Sequence, residues 1–503
     1  MLTVEEIKQL ITEDKSSEKK KFAQKGQAYY DGDHDIKDYR LFYYNSDGVL
    51  VEDKTRSNVK IPHAFFAELV DQAVQYILSG GEFAKSDIPE LQSCLDDYFN
   101  YNEDFLAEFS ELLTGCIAKG FEYMYAYKND EDKIAFQCAD SLGITEVRKK
   151  DTDSDTEYII YSYIDRIEKG HKKITRIQVW DKEQVYFYVQ TDNGEIELDE
   201  SESLNPRPHT LYAKGKKTYF KGFGFIPFFR LDNNKKQFSG LKPIKGLIDD
   251  YDLMASSLSN NLIDFDTPIH VVKGFEGDNL DELQKNLKTK KIIGLESTDA
   301  GAGVDVMTVD VPYQARQAKL ELDEKNIYRF GMGLNTSGLK DTNATTNISI
   351  KMLYSLLDLR CSKLEMRIKQ FLRKLVKPVL DEINEQDETG YQLKDVYFEF
   401  KHEVMSNAQE NAQIDLTKAQ EQSVRINTLL NLAEQLDNET LVQNICDVLD
   451  IDYEEIKDRL PDMTNPEDDV SAAQQELEGI SDGESQSQQQ VIEMLDSLLE
   501  ELN

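Results

Sequence analysis

Apolar residues in the first part of the chain recur at helical spacing. Over 63–78 they return every three or four residues, and Gly80–Gly81 ends the pattern, which predicts an amphipathic helix. A second stretch of this kind covers 104–119 and stops at Gly120. We therefore expect residues 1–120 to be helical.

Between residues 121 and 235 the pattern changes to one typical of strands. Tyr, Phe, Ile and Val are concentrated in FEYMYAYKN, TEYIIYSYI, KITRIQVWD and QVYFYVQTD. Asn193–Gly194 precedes EIELD and indicates a two-residue hairpin turn. This region predicts an antiparallel sheet packed on helices.

From Gly240 the chain alternates long helices with a small insertion. A helix of about six turns is predicted by an apolar stripe at three- and four-residue spacing. The stripe consists of Ile244, Leu247, Tyr251, Met254, Leu258, Leu262 and Phe265. Residues 266–311 combine short strand patterns with one short helix. A second helix begins after Pro312, a residue tolerated at a first helical position, and runs to Gly331.

One very long helix is predicted from Ile348 to Leu380, after the small polar segment GMGLNTSGLKDTNATTN. At 1.5 Å per residue this helix spans about 50 Å. The strand DVYFEF and two or three helices within 407–460 follow. The segment from Pro461 to Gln490 is acidic and rich in Ser and Gln, which favours disorder, and VIEMLDSLLEEL predicts a short terminal helix.

Charge and cysteine content narrow the function. The 503 residues include 58 Lys and Arg against 95 Asp and Glu, a net charge of -37. Such a chain repels phosphate at long range, which argues against a protein that wraps DNA or reads its sequence, but not against a tunnel through which DNA slides. Five dispersed cysteines without a CxxC pair predict free thiols in a reducing compartment. Without a signal peptide or an apolar membrane span, we expect a soluble protein made inside the cell.

The sequence lacks the common motifs of catalysis. It contains no HExxH, no GxxxxGK[ST] and no GxSxG, so we expect no metal, no cofactor and no enzymatic activity. Asp151, Asp153 and Asp155 resemble the opening of a calcium loop, but Thr156 and Ser162 replace the required Gly and Glu. A hydrolase with an unrecognised pair of carboxylates stays an alternative.

Two basic stretches stand out from the acidic background. The first is Arg207, Lys214, Lys216, Lys217 and Lys221. It forms either a solvated loop beside acidic neighbours or a contact for DNA phosphate or an acidic partner. The second lies on the predicted long helix and is expected to pair with acidic neighbours or adjacent subunits: Lys363, Arg367, Lys369, Arg373, Lys374 and Lys377.

The order of these parts resembles the portal proteins of tailed phages, specifically the SPP1-type family. The stretches that carry the resemblance are IPHAFFAELVDQAVQYILSG, NPRPHT, GFGFIPFFRLDNN with GLIDDYDLMASSLSNNL, and TSGLKDTNATTNISIKMLYSLLDLR. Each is weak alone, whereas their order along nearly the whole chain is specific.

The resemblance implies an α+β multidomain portal fold, with a helical stem, an inserted α/β clip, an α/β wing containing a very long helix, and a helical crown. The implied parts are wing 1–240 with 381–405, stem helix 241–264, clip 265–311, stem helix 312–331, tunnel loop 332–347, long wing helix 348–380, crown 406–463 and an acidic, disordered tail 464–503.

The implied function is a ring, dodecameric in the virion, through which double-stranded DNA is packaged and ejected at one capsid vertex. Its implied partners are further copies of itself, double-stranded DNA without sequence specificity, a terminase, scaffolding and major capsid proteins, and a head–tail adaptor. No membrane is involved, and the subunits are made in the host cytoplasm.

Two sets of residues are expected to meet DNA. The first would line the channel with acidic and polar groups: Asp249, Asp250, Asp252, Ser256, Asn260 and Asp264. The second would touch the DNA backbone from the tunnel loop: Lys340, Thr342, Asn343, Thr345 and Thr346. Ordinary core packing is the alternative for the stem helix, and a flexible linker is the alternative for the loop.

A different class of protein also fits the composition. An acidic scaffold or adaptor could form a coiled-coil dimer through the long helices and recruit basic partners with its tail. The mass of the assembly separates a dimer from a dodecamer.

Overall fold

A computed structural model describes most of the chain in two compact units, Met1–Met405 and Ser406–Asn503. The described residues are 2–45, 47–54, 56–129, 131–149, 156–168, 172–190, 194–214, 217–265, 269–273, 303–307, 312–335, 347–402, 408–432 and 438–449.

The described part of the chain contains long helices in both units. They are α1 Val4–Ser16, α2 Glu18–Tyr30, α3 Phe65–Leu78, α4 Pro89–Leu95, α5 Glu103–Lys119, α6 Lys245–Phe265, α7 Tyr313–Gly331, α8 Asn347–Asp387, α9 Ala408–Asn431 and α10 Asn438–Leu449. Short 3₁₀ turns lie at Asp35–Asp38 and Leu393–Asp395, and a π-helical turn at Asp96–Asn100.

The strands lie in small antiparallel sheets. They are β1 Phe42–Tyr44, β2 Leu50–Glu52, β3 Ala84–Lys85, β4 Phe121–Lys128, β5 Ile134–Ala139, β6 Ile144–Arg148, β7 Thr156–Glu168, β8 Lys172–Trp180, β9 Gln184–Gln190, β10 Ile196–Leu198, β11 Arg207–Pro208, β12 Thr210–Lys214, β13 Lys217–Lys221, β14 Phe228–Asp232, β15 Ile269–Lys273, β16 Gly303–Met307 and β17 Tyr397–Phe398. The larger sheets have the orders β10-β9-β8-β7-β6, with β11 on β9, and β14-β4-β5; the pairs β1-β2, β12-β13, β15-β16 and β3-β17 complete the set.

The main core lies between helices and the three-stranded sheet. Phe66 of α3, Phe109 of α5 and Leu372 of α8 are buried there with Met124 of β4. A second cluster places Ile7 of α1 against the six-stranded sheet. The α+β composition and the antiparallel sheet packed on helices are therefore confirmed, although the sheet is divided in two.

Several predicted boundaries are confirmed closely. Helix α5 ends where expected, because Gly120 takes a left-handed conformation with φ 98°. A Cβ at this position would lie 2.5 Å from the Gln237 carbonyl oxygen, so a larger residue does not fit.

The two-residue turn predicted at Asn193–Gly194 is wrong. Strand β9 does pair with β10, but Gln190 is opposite Ile196, so five residues, 191–195, separate the paired positions.

The prediction that residues 1–120 are wholly helical is wrong. Phe42–Tyr44 pairs with Leu50–Glu52 in an exposed hairpin, with Tyr43 opposite Val51. The helical interpretation failed there because the apolar run of these strands is short, and periodicity does not separate a short strand from a short helix.

Helix α8 is longer than predicted, since it continues past Leu380 to Asp387 with Pro378 inside it. Tertiary contacts hold this last part. Glu382 is buried, and it accepts hydrogen bonds from the Tyr98 hydroxyl at 2.6 Å and the Ile134 amide at 3.1 Å. It also pairs with Lys128 at 2.6 Å.

In the second unit, α9 and α10 contact each other, as in the 3.3 Å hydrogen bond from the Gln422 amide to the Val448 carbonyl. The cysteines Cys116, Cys361 and Cys446 are buried as free thiols. Within the described residues, no helix is long and apolar enough to cross a membrane.

Candidate functional site: helices α6 and α7 and the segment that covers them

Helices α6 and α7 flank the insertion and pack against each other. A charged contact links them, since Lys319 of α7 binds Asp250 of α6 at 2.5 Å and also contacts Asp323. The hydrogen bonds with Asp250 and Asp323 raise the pKa of Lys319. Between the helices, β15 pairs with β16, and the rest of 266–311 lies outside the described residues.

The buried side chains of α6 lie four residues apart, on the face that packs against the rest of the first unit. Ile244, just before the helix, and Ile248 are buried in the main core, and the next two positions in this series are Asp252 and Ser256, also buried. Leu262 of the predicted apolar stripe is instead 52% exposed. Beyond Ile248 the inner contact of α6 therefore includes its polar side, with Asp252 and Ser256, beside Tyr251 of the stripe, which packs against Phe65.

An extended segment, residues 57–63, covers this polar side, and we call it the strap. Alternate amides of the strap donate to side chains one helical turn apart on α6. The bonds run from His63 to Asp252 at 2.9 Å, from Ile61 to Ser256 at 3.0 Å, from Val59 to Asn260 at 2.7 Å and from Ser57 to Asp264 at 3.2 Å.

The two repeats match because of backbone geometry. Four helical residues advance about 6.0 Å and two extended residues about 6.6 Å. Pro62, which has no amide hydrogen, occupies a position that the ladder skips. Strap and helix therefore form one continuous polar ladder.

Asp252 is the centre of a buried cluster. Its carboxylate lies 2.6 Å from Nδ1 of His34 and 2.8 Å from Nδ1 of His63, and the Tyr29 ring stacks on His34 with centroids 4.4 Å apart. Burial opposes ionisation, but the hydrogen bonds from His34 and His63 outweigh it and lower the pKa of Asp252. The cluster fastens α6 to the end of α2 and to the strap.

A second charged cluster lies one turn earlier on α6. Lys245 binds Asp35 and Asp249 at 2.7 Å each, and the Tyr29 hydroxyl donates to Asp249. Burial lowers the pKa of Lys245, yet its hydrogen bonds to Asp249 and Asp35 outweigh that effect and raise it.

These contacts correct part of the predicted channel lining. Asp252 and Ser256 are interior side chains whose oxygens are used by the strap, so they do not form an open polar wall. Asp249, Asp250, Asn260 and Asp264 keep exposed surface although each has a partner within the chain. Sequence reasoning missed the strap because an extended segment without alternation gives no periodic signal.

The predicted tunnel-loop residues Lys340, Thr342, Asn343, Thr345 and Thr346 lie outside the described residues. The entry to that loop is held firmly. The amide and carbonyl of Leu334 each bond the Gln72 side chain at 2.9 Å, and Arg360 donates to the Gly331 carbonyl at 3.0 Å. A Cβ on Gly333 would lie 2.0 Å from Cδ2 of Leu69, so a larger residue here needs the Leu69 side chain to shift.

The first basic stretch is divided by the structure. Arg207 lies over the Phe187 ring at 4.7 Å and pairs with Glu202 at 3.5 Å. The backbones of Lys214, Lys217 and Lys221 belong to the β12-β13 hairpin, in which Lys214 is opposite Lys217. Lys216 lies outside the described residues. Arg207 is thus a partner of Glu202 within the chain.

Within the described part of the chain, no group of three or more His, Cys, Asp or Glu side chains is arranged to hold a metal ion. The acidic run Asp151, Asp153 and Asp155 lies outside that part.

Comparisons with known proteins complete the description. The family model described as "Phage portal protein, SPP1 Gp6-like" matches residues 10–481. The portal protein of Bacillus phage SPP1 is 28% identical over 354 residues, covering 69% of this chain and 67% of that protein. The portal protein of Clostridium phage phiCD119 is 27% identical over 399 residues, covering 75% and 84%.

One solved structure, titled "Neck of empty GTA particle computed with C6 symmetry", matches with a TM-score of 0.41 and 13% identity. The match covers 78% of this chain and 91% of that one. This likeness is too distant to carry any inference about the chain.

Proposed function

The chain belongs to the SPP1 Gp6-like family of phage portal proteins, and from this membership we propose that its copies form a ring around a bore that conducts double-stranded DNA into and out of a capsid. The observation that carries the proposal is the extent of the family match, residues 10–481. It includes the two helices, the insertion between them and the long helix α8. Membership implies a homo-oligomeric ring in a phage particle.

The parts of the chain are assigned on this basis. Helices α6 and α7 form the stem, the insertion 265–311 the clip, 1–240 with 381–405 the wing, and 406–463 the crown. The position of the β15-β16 pair between α6 and α7 supports the clip assignment. Residues 332–347 are the tunnel loop, and a hydrogen bond from the Leu334 amide to Gln72 anchors its entry.

The DNA contacts are electrostatic in this proposal. A net charge of -37 per subunit disfavours adhesion of phosphate to the bore, because like charges repel each other. Asp249, Asp250, Asn260 and Asp264 remain candidates for the lining. Lys340 would supply one cation per subunit from the tunnel loop, enough to touch the backbone without reading sequence.

The partners and the ring size belong to the proposal as well. We assign twelve subunits to the ring in the virion, a separate terminase as the packaging motor, scaffolding and major capsid proteins during assembly, and an adaptor at the clip. No catalytic step is assigned to this chain. The family match gives no support to the alternative of an acidic adaptor dimer.

The first experiment tests the ring itself. Purified protein is weighed by mass photometry and imaged in negative stain, and the expected result is a particle of many subunits with a central hole. Only monomers of 57.8 kDa or dimers under all salt and protein concentrations would contradict the proposal.

A second experiment tests the tunnel loop. Lys340→Glu should leave ring formation unchanged and lower the yield of packaged DNA, because a carboxylate repels phosphate where the ammonium group attracted it. Lys394→Glu, at an exposed position in a 3₁₀ turn, is the matched control. Equal packaging by Lys340→Glu and wild type would remove the loop assignment and leave the ring intact.

A further inference from the structure

The outer face of α8 carries exposed apolar side chains at helical spacing. They are Met352, Leu356, Leu359 and Met366. The opposite face, with Leu357, Leu364 and Ile368, is buried in the main core. A cavity of about 820 Å³ opens beside Leu359 and Met366, and Phe330 and Met332 also line it. Helix α8 is therefore apolar on two sides, and the described residues cover only one of them.

The same helix carries exposed basic side chains. They are Lys363, Arg373, Lys374 and Lys377. Among the described residues none of them lies within ion-pair distance of a carboxylate, since the buried acids of α8 pair elsewhere, Glu365 with His402 at 2.8 Å and Glu382 with Lys128 at 2.6 Å. The outer face thus fits a partner that is both apolar and acidic.

The β1-β2 hairpin, which with its flanks we call the arm (residues 39–53), offers such chemistry. Its exposed large side chains are Tyr39, Phe42, Tyr43, Tyr44, Val49, Leu50 and Val51. Glu52 at the end of β2 pairs with Arg40 at 3.5 Å, whereas Asp47 in the turn and Asp53 leave the arm with a net negative charge. A two-stranded hairpin of this size is marginal by itself, and exposed apolar patches of this kind mark interaction sites.

The strap fixes the arm in place. It follows the arm directly in sequence, and its ladder of hydrogen bonds to α6 ends at Ser57, only a few residues from the arm. Because the arm is held in this way, it loses little conformational freedom on binding, which favours association.

We propose that the arm of one copy docks on the outer face of α8 in a second copy, with apolar side chains in the groove at Leu359 and Met366. The inference rests on the ring proposed above. A closed ring of more than two copies needs two different surfaces that fit each other, and the arm and the α8 face are such a pair. A subunit of net charge -37 also supplies the negative potential that the basic row of α8 attracts.

Charge alone would also fit DNA at this face. The apolar row favours a protein partner over DNA, because Met and Leu side chains gain nothing from a phosphate backbone. An apolar centre with a charged rim is also the usual arrangement of a protein–protein interface.

The test is a cross-link between copies. Tyr44→Cys and Leu359→Cys proteins are mixed and treated with a short bismaleimide; the expected product is a covalent dimer from the mixture. The double variant should give a ladder of larger products. Each single variant alone and wild type, which has five cysteines of its own, are the controls. Dimers from Tyr44→Cys alone would show that arms meet arms and would overturn the proposal.

A second readout is the strength of assembly. Loss of an aromatic anchor should raise the protein concentration at half-assembly about tenfold in Tyr44→Ser. Tyr101→Ser is the matched control, since Tyr101 is 65% exposed against 73% for Tyr44. Equal assembly of the two variants together with an absent cross-link overturns the docking proposal.

The outcomes separate the two proposals. If wild type forms no ring, the proposed function is wrong, and the docking proposal, which depends on the ring, is wrong with it. If wild type forms rings but neither readout responds, only the docking fails. A Lys374→Glu, Lys377→Glu variant that assembles normally but retains less DNA would assign the face to DNA and overturn the docking.

Discussion

Asp252 shows how a single residue can be misjudged from sequence. It was expected to face a channel because it is charged, yet its two oxygens accept from His34, His63 and a strap amide inside the chain. A buried carboxylate with this many donors is stabilised as the anion. It acts in the structure as a joint between α2, α6 and the strap.

Replacing Asp252 should lower the free energy of unfolding. Asp252→Asn removes the charge while keeping the shape, and we expect the free energy of unfolding of the first unit to fall by about 2 kcal/mol at pH 7. Asp250→Asn, at a half-exposed ion pair on the same helix, should cost about 0.5 kcal/mol or less. Chemical denaturation of both variants checks this, and equal losses would contradict the role of Asp252.

The same variant has a defined pH dependence. Because the pKa of Asp252 is lowered from 3.8 in the folded chain, its charge stabilises the fold fully above that pH, and the contribution is lost as pH falls through the lower folded pKa. The difference between wild type and Asp252→Asn should therefore be smaller at pH 3 than at pH 7. Denaturation curves at pH 7 and pH 3 measure it; an unchanged difference would contradict it.

At the scale of elements, the pairing of strap and α6 depends on two repeats of nearly equal length. Side chains one turn apart on a helix meet alternate amides of an extended chain, so no sheet is needed to satisfy the strap. Helix α8 shows the same principle, because buried Glu382 and its donors hold helical residues beyond Pro378.

Proline substitutions test the ladder directly. Val59→Pro removes the amide that bonds Asn260 at 2.7 Å, and we expect faster hydrogen exchange at Ile61 and His63, with a loss of about 1 kcal/mol. Asn58→Pro, at a position that the ladder skips, loses only the 3.4 Å side-chain bond to the Tyr39 carbonyl and should leave exchange at Ile61 and His63 unchanged. Exchange followed by mass spectrometry over residues 53–66 distinguishes the two, and equal protection in both variants would contradict the ladder.

At the scale of the whole molecule, the buried clusters lie within the first unit. The three clusters of the described residues draw all their members from positions before 405. The stability of the first unit should therefore not depend on the second.

A shortened chain checks this independence. A protein ending at Met405 should unfold cooperatively with a thermal midpoint within about 4 °C of that of the first unit in the full chain, because it keeps every residue of the three described core clusters. Calorimetry of the two proteins side by side measures the difference. A much lower midpoint, or the absence of a cooperative transition, would show that residues after 405 complete the core.

The sequence by itself determined the elements whose signal is local. Their patterns depend on neighbouring residues along the chain, so the sequence predicted each of them correctly as helix or strand. These elements are helix α3 with its apolar repeat, helix α5 with its end at Gly120, and strands β7 to β9. The order of parts was also enough for the family, and the family match over residues 10–481 confirms it.

Tertiary structure decided which polar face is buried and what covers it. Asp252 and Ser256 are interior because a strap more than 180 residues earlier in the chain supplies amides at the matching spacing, and no local pattern encodes that pairing. The end of α8 at Asp387 likewise depends on Ile134 and Tyr98. Charge and periodicity tell which side chains are polar, but burial depends on where distant donors lie.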